Sequence, residues 1–211
     1  MGRIFLFFTV LSIPLLAQAV AVGVKGGVTI QDDVIGVGVA TESRPYIVGP
    51  MVEFRLPLHL GIEVDGLYSR LGYRYATGSI GGSLTTRARA NSWELPVLLK
   101  YRLPLPLVHP YVSGGVAPRY ASGTISGQGV NIDLSTGART TFTLNDKWGA
   151  IGSLGIVGAG GVEFGTRHFR ISPEVRYTHW DNDIIGINDS QGFHANAAQN
   201  EVRILVGLSL R

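Results

Sequence analysis

Apolar and polar residues alternate with a period of two along most of this 211-residue chain. In the last segment Val202, Ile204, Val206, Leu208 and Leu210 share one parity, and Arg203, Leu205, Gly207 and Ser209 share the other. Before it, Phe169, Ile171, Pro173, Val175 and Tyr177 oppose Arg170, Ser172, Glu174, Arg176 and Thr178. Further up the chain Leu95, Val97, Leu99, Tyr101 and Leu103 oppose Glu94, Lys100 and Arg102, while Val48, Val52, Phe54 and Leu56 oppose Glu53 and Arg55. Successive side chains of a strand point to opposite faces, so each segment reads as a strand with one apolar and one polar face. No window offers sustained apolar residues at three- and four-residue spacing between caps, and Gly or Pro interrupts nearly every helical candidate. The fold class is therefore all-β.

Eight such segments are predicted, at roughly 22–30, 47–56, 60–72, 92–103, 110–120, 148–164, 168–180 and 201–210. Their connections alternate in length. Long polar stretches follow the odd-numbered segments, at 31–46, 73–91, 121–147 and 181–200. Tight links follow the second, fourth and sixth, at Pro57-Leu58-His59, 104–109 and Gly165-Thr166-Arg167. The chain has 29 glycines, 45% hydrophobic residues and only 16% charged ones, which excludes a disordered chain. The absence of cysteine excludes disulfide scaffolds, thiol nucleophiles and cysteine-ligated zinc.

Part of the hydrophobicity belongs to the first residues. Arg3, the apolar run 4–16 and Ala17-Gln18-Ala19 read as a secretory signal peptide spanning 1–19 and cut after Ala19. The run holds about 13 residues and is interrupted by Pro14, whereas a spanning helix needs roughly 20. Cleavage removes Arg3 and lowers the net charge from +3 to +2, and the arginines form no run, so the mature chain 20–211 carries no nucleic-acid signature. It also has no second apolar stretch long enough for a membrane helix, so a mature chain that enters a bilayer does so as strands. Segments of about 9 to 11 residues, an even strand number and short turns at one end are the pattern of an eight-stranded antiparallel up-and-down transmembrane β-barrel.

In that geometry the apolar parity faces lipid. The inward parity collects Lys25, Glu53, Arg55, Glu63, Asp65, Glu94, Lys100, Arg102, Glu163, Arg170, Glu174, Arg176 and Arg203, six acids against seven bases. Eight strands leave an interior just wide enough for side chains to fill, so this set is expected to pair across the lumen and plug it. The glycines of the sixth segment leave room for bulky neighbours. Aromatic residues are expected to form two interfacial belts: Tyr46, Tyr73, Trp93, Tyr120, Trp148, Tyr177 and Trp180 near the long-loop end, and Phe54, Tyr101, Tyr111, Phe164 and Phe169 near the short-turn end. Trp180 has inward parity, which puts it at the rim or after a bulge. Arg70, Arg74, Arg87, Arg89 and Arg119 are placed at or beyond the outer belt.

The signal peptide, the eight alternating strands and the opening Val22-Gly23-Val24-Lys25-Gly26-Gly27 resemble the small outer-membrane β-barrel family of Gram-negative bacteria, the outer-membrane protein A and X type. Residues 170–180 are similar to the penultimate strand of its "outer membrane protein β-barrel domain" branch. The resemblance implies an outer-membrane location after export, a structural or surface-interaction role, and as partners the outer-membrane insertion machinery, outer-membrane lipids and, at the five arginines of the outer belt, lipopolysaccharide phosphates. Such barrels usually end on an aromatic residue, where this chain has Leu208-Ser209-Leu210-Arg211.

Little catalytic chemistry is visible. The stretch 176–182 is similar to the His-x-Ser-Asn segment of lipid A deacylase barrels, but Asp181 stands where the nucleophile would be, and Ser190 lies eleven residues beyond His179. His59, His109, His168 and His194 show no metal-ligand spacing. The glycine clusters 78–82 and 158–161 precede no Lys-Ser/Thr and no helix, so they are a loop and a strand rather than phosphate loops. The expectation is a non-enzymatic barrel with no cofactor and no metal. A porin-like small-solute channel, a lipid A-modifying barrel and a soluble lipocalin-like barrel are the alternatives.

Overall fold

The computed structural model describes residues 20–30, 34–35, 39–166, 168–181, 187–188, 194–197 and 199–210. The expected signal peptide 1–19 and Ser190 lie outside the described residues. Eight strands build the barrel. They are β1 Val20–Thr29, β2 Arg44–Arg55, β3 Leu60–Asp65 continued as Leu67–Ser79, β4 Gly82–Glu94 continued as Val97–Arg102, β5 His109–Ile132, β6 Arg139–Gly165, β7 Phe169–Trp180 and β8 Asn200–Leu210. Each is antiparallel to the next, and β8 returns to β1 with Val22 opposite Leu210 and Val28 opposite Ile204, which closes the sheet.

Two interruptions are bridged rather than left open. At Gly66 and at Leu95-Pro96 the pleat breaks, yet Gly66 N donates to Pro50 O at 2.9 Å, Asp65 N to Pro96 O at 3.0 Å and Leu95 N to Pro118 O at 3.0 Å. Ladder continuity of this kind is required wherever no water reaches the backbone. The outward face is apolar and exposed, with Val24 at 53%, Val112 at 62% and Ile156 at 67%. The inward face carries the polar parity, with Lys25, Glu63 and Arg176 buried.

The structure differs from the sequence expectation beyond the membrane. Stretches 73–91 and 121–147, expected as loops, are mostly strand. β3 and β4 pair out to Ser79 opposite Gly82, and β5 and β6 pair out to Ile132 opposite Arg139. Past Tyr73, Ala88, Ala90 and Ala121, which are still buried on the inner face, both faces of these extensions largely meet water, so the hydrophobic period vanishes while strand pairing persists. Backbone pairing and β-branched residues such as Thr124, Ile125, Thr141 and Thr143 sustain them. β4 and β5 also pair there, Arg87 opposite Ser126, so four strands rise as one sheet from one side of the barrel. A register shift between Trp148 and Ile151 marks where β6 leaves the barrel. Elsewhere on the outer side, Val39–Thr41 pairs with β3, and Ile187–Asn188, His194–Ala197 and Val34–Ile35 form a small separate sheet.

Two turns carry measurable consequences. In the β2–β3 link Leu58 and His59 both have positive φ, 62° and 64°, as a type I′ turn demands, although neither is Asn or Gly. Replacing Leu58-His59 by Asn-Gly should therefore stabilise the refolded barrel by about 1–2 kcal/mol in a urea titration. At the β5–β6 tip, Asp133 Oδ1 accepts from Ser135 Oγ at 2.6 Å, Ser135 N at 2.8 Å and Thr136 N at 3.3 Å. These donors, the Ser135 hydroxyl first, hold the Asp133 carboxyl down to about 2, below its ordinary 3.8. The turn's order should be complete above pH 3.8 and should be lost as pH falls through about 2, read from the Ser135 amide shift by NMR.

Candidate functional site in the barrel interior

Inward side chains from all eight strands converge in the barrel, and β-sheet parity decides which they are. Toward the short-turn end, Lys25 of β1 reaches Glu63 in an ion pair and lies 3.2 Å from Glu174 and 3.6 Å from Asp65. Lys100 of β4 lies 2.6 Å from Glu63, 3.1 Å from Glu163 and 3.3 Å from Glu53. Arg176 of β7 binds Asp65 at 2.8 Å, Glu174 at 2.8 Å and Glu63 at 3.4 Å. Arg102 pairs with Glu53 and, at 3.0 Å, with Glu163; Arg55 lies 2.8 Å from Glu53 and Arg170 3.2 Å from Glu163. Each carboxylate thus touches two or more bases, which is the arrangement a buried charge needs.

A second group lies toward the outer end. Arg203 of β8 holds Glu94 through both Nη atoms, at 2.5 and 2.7 Å, and Glu201 at 2.7 Å from Nη2 and 3.0 Å from Nε. Glu201 also accepts from Trp180 Nε1 at 2.9 Å, and Arg119 lies 3.7 Å from the same carboxylate and 3.7 Å from the Trp180 ring centroid. Two buried apolar clusters stand among these charges, one of Leu98, Ala117, Val157 and Trp180 and one of Ile47, Leu67 and Leu205. Glu94, Leu98 and Lys100 share the inward parity of β4, so on this strand Leu98 stands between the two charged groups, while on β7 and β8 Arg176 lies directly opposite Arg203.

All thirteen charges expected to face inward are brought together in this interior. Sequence reasoning missed two more. Glu201 has the parity of Arg203, one step back, and lies at the first position of the eighth segment, 201–210, but the inward set omits it. Arg119 was placed at the outer rim by its height on β5. It shares parity with Tyr111, Ser113 and Ala117, is 6% exposed, and points inward. With both included, seven carboxylates face eight bases.

Three aromatic assignments need correction for the same reason. Tyr111 and Trp180, expected at the membrane interface, are 2% and 1% exposed inside the barrel. Tyr73 is likewise inward and buried. Tyr111 Oη donates to Glu174 at 2.9 Å, and Lys100 Nζ stands 4.1 Å from its ring centroid. Glycines of β6 make the space for both large rings. A Cβ at Gly161 would come within 2.6 Å of the Tyr111 ring, and one at Gly155 within 2.8 Å of the Trp180 ring. Height along a strand had been weighed above parity; parity decides. Trp93, Tyr101, Phe164 and Tyr177 do face outward, each 42–51% exposed. The Trp148 side chain lies outside the described residues.

The region similar to a deacylase has another organisation. His179 faces outward, with Nδ1 2.8 Å from Asn200 Oδ1, which also accepts from Tyr177 Oη at 2.6 Å. Asp181 Oδ1 accepts from Leu154 N at 2.8 Å and Ser153 Oγ at 3.1 Å. Among the described residues, no cluster of His, Asp and Glu has the arrangement of a metal site.

A closed antiparallel barrel of eight strands, apolar outside and charged inside, is the architecture of an outer-membrane β-barrel protein. Residues 16–180 match the family model described as "Outer membrane protein beta-barrel domain", and the chain belongs to that family. No curated protein matches the sequence. Among solved structures the chain is similar to Neisserial surface protein A, with 14% identity and a TM-score of 0.44 over 90% of this chain and 95% of that one. It is also similar to the N-terminal β-barrel domain of Pseudomonas aeruginosa OprF, at 11% identity and a TM-score of 0.37 over 90% and 96%. A third is Ail, the attachment invasion locus protein of Yersinia pestis, at 11% and 0.36 over 90% and 97%.

The outer charge group offers a test of pairing. Arg203→Met leaves Glu94 and Glu201 buried without their main partner and should cost about 3–5 kcal/mol in urea unfolding of the refolded protein. Adding Glu94→Gln should recover part of that loss, because one of the two stranded charges is gone.

Proposed function

We propose that this protein is exported through a signal peptide cut after Ala19, inserted by the outer-membrane insertion machinery, and serves as a non-enzymatic structural or surface-interaction barrel. Its lumen is closed to solutes by its own paired charges, and its contacts with other molecules are made on the outer side. The observation that carries this reading is the burial of the lumen charges: Lys25, Glu63, Lys100 and Arg176 have side chains no more than 1% exposed, and they bridge opposite walls of an eight-stranded barrel. Solvated pore-lining charges would keep contact with a water column. These have exchanged water for one another, and the apolar clusters around Leu98 and Leu205 fill further space in the lumen. The absence of a hydroxyl hydrogen-bonded to His179 among the described residues favours the non-enzymatic reading over a lipid A-modifying one.

In planar-bilayer recordings the refolded protein should give no steady stepwise conductance; regular steps would establish a channel instead. Glu174→Lys places a third cation against Lys25 and Arg176, so it should lower the temperature of the heat-modifiable gel shift. An unchanged transition would remove the charge network from the account of stability.

A further inference from the structure

The outward face of the β3–β4–β5 sheet changes character over one step of the pleat. At the membrane interface stand Tyr68, Trp93 and Tyr120, which are cross-strand partners; the Tyr68 and Trp93 ring centroids are 5.2 Å apart. Two residues further from the membrane, about 7 Å along a strand, the same face becomes basic. Arg70 stands opposite Arg44 of β2, Arg89 lies opposite Gly72, and Arg74 stands opposite Arg87. Arg44–Arg70 and Arg74–Arg87 are thus two like-charge pairs placed directly across neighbouring strands, an arrangement that destabilises a sheet unless something neutralises it. Within the described residues one carboxylate serves the group: Glu42 binds Arg87 at 2.9 Å.

The surface between these residues is concave. A cleft of about 300 Å³ is lined by Glu42, Arg44, Arg70, Leu71, Gly72 and Arg89. A second cleft, of about 290 Å³, shares the group's Arg74 and Arg87 and continues away from the membrane over Thr85, Ser126, Gln128, Thr143 and Asn145. Guanidinium forks match phosphate oxygens, and the hydroxyl and amide ladder above them matches sugar hydroxyls. The order along the wall is therefore acyl-chain contacts, aromatic belt, cations, then carbohydrate-type hydrogen-bonding groups.

We infer that this lateral face is a binding site for a phosphorylated glycolipid of the outer leaflet, with phosphates on Arg44, Arg70, Arg74 and Arg89 and sugars in the groove above. A membrane-anchored ligand fits better than a soluble anion, because the arginines begin at headgroup height and are continuous with the lipid-facing wall. Arg119, which faces Glu201 and Trp180 inside, has no part in it. The inference does not depend on a closed lumen.

The test uses the refolded full chain in detergent micelles, with bisphosphorylated lipid A, the same lipid A dephosphorylated, and inorganic phosphate as probes. Binding is followed by native mass spectrometry and by tryptophan emission, to which Trp93 contributes from just below the arginines. Bisphosphorylated lipid A should bind at least about tenfold more tightly than the dephosphorylated form, and millimolar phosphate should not displace it. Arg70→Gln/Arg89→Gln, and separately Arg44→Gln/Arg74→Gln, should each weaken binding about tenfold or more. Both should keep the parent's heat-modifiable shift and an equal or higher unfolding midpoint without lipid A, since repulsion is relieved. Arg139→Gln, at the β5–β6 tip, should bind as the parent does. Equal affinity for both lipid A forms, displacement by phosphate, or undiminished binding by both double variants would overturn the inference.

Discussion

A backbone in hydrocarbon has no water to satisfy its N–H and C=O groups, and an unmet group there costs several kcal/mol. For a chain of short, alternating strands the remaining solution is a sheet without edges. Closure through β8 and β1 meets that demand, and so do the bridges across Gly66 and Leu95-Pro96, where the pleat breaks but the hydrogen bonding does not. Closure then sets the rest. With eight strands the interior is narrow, so whatever parity faces inward must pack like a core, whether or not it is apolar.

Here the inward parity is charged, and the packing problem becomes electrostatic. A single buried carboxylate or ammonium would be strongly destabilising, and an isolated pair only breaks even. Sharing changes the balance: Glu63 contacts Lys25, Lys100 and Arg176, while Lys100 contacts Glu53, Glu63 and Glu163. Each of these charges is solvated by several partners from different strands, so the network also ties opposite walls of the barrel together. The polar interior further specifies the inside-out orientation of the sheet. A one-residue slip of any strand would send its charges into lipid and its valines inward.

The strand count, closure and identity of the inward charges were legible because parity survives in sequence wherever one face meets lipid and the other does not. Where both faces meet water, as over most of Arg74 to Arg87 and Ser122 to Lys147, the same strands continue without an alternating signature, and they read as loops. Tyr111, Trp180 and Arg119 were misplaced for a different reason. Aromatic rings near a strand end suggest an interfacial belt, and an arginine at that height suggests solvent, but side-chain direction is fixed by the pleat, not by height. Glu201 lies inside segment 201–210, but the alternation is counted from its first apolar residue, Val202, so the inward residue just before it escapes the set.

The same asymmetry connects the interior to the outer surface. Trp180 reaches inward at the outer end into the gap that Gly155 leaves, and there, with Arg119, it completes the group around Glu201 and Arg203. Nearby, β3 to β6 do not turn back at the membrane surface but climb on as a four-stranded sheet, while β1, β2, β7 and β8 end lower. One wall of the barrel is therefore taller than the other. Its outward face extends the lipid-contacting surface through the headgroup region without a break in strand pairing, so side chains above the belt are held in register with those below it. That continuity gives Arg70, Arg74, Arg87 and Arg89 fixed spacing relative to the aromatic belt, which a flexible loop at the same height would not provide.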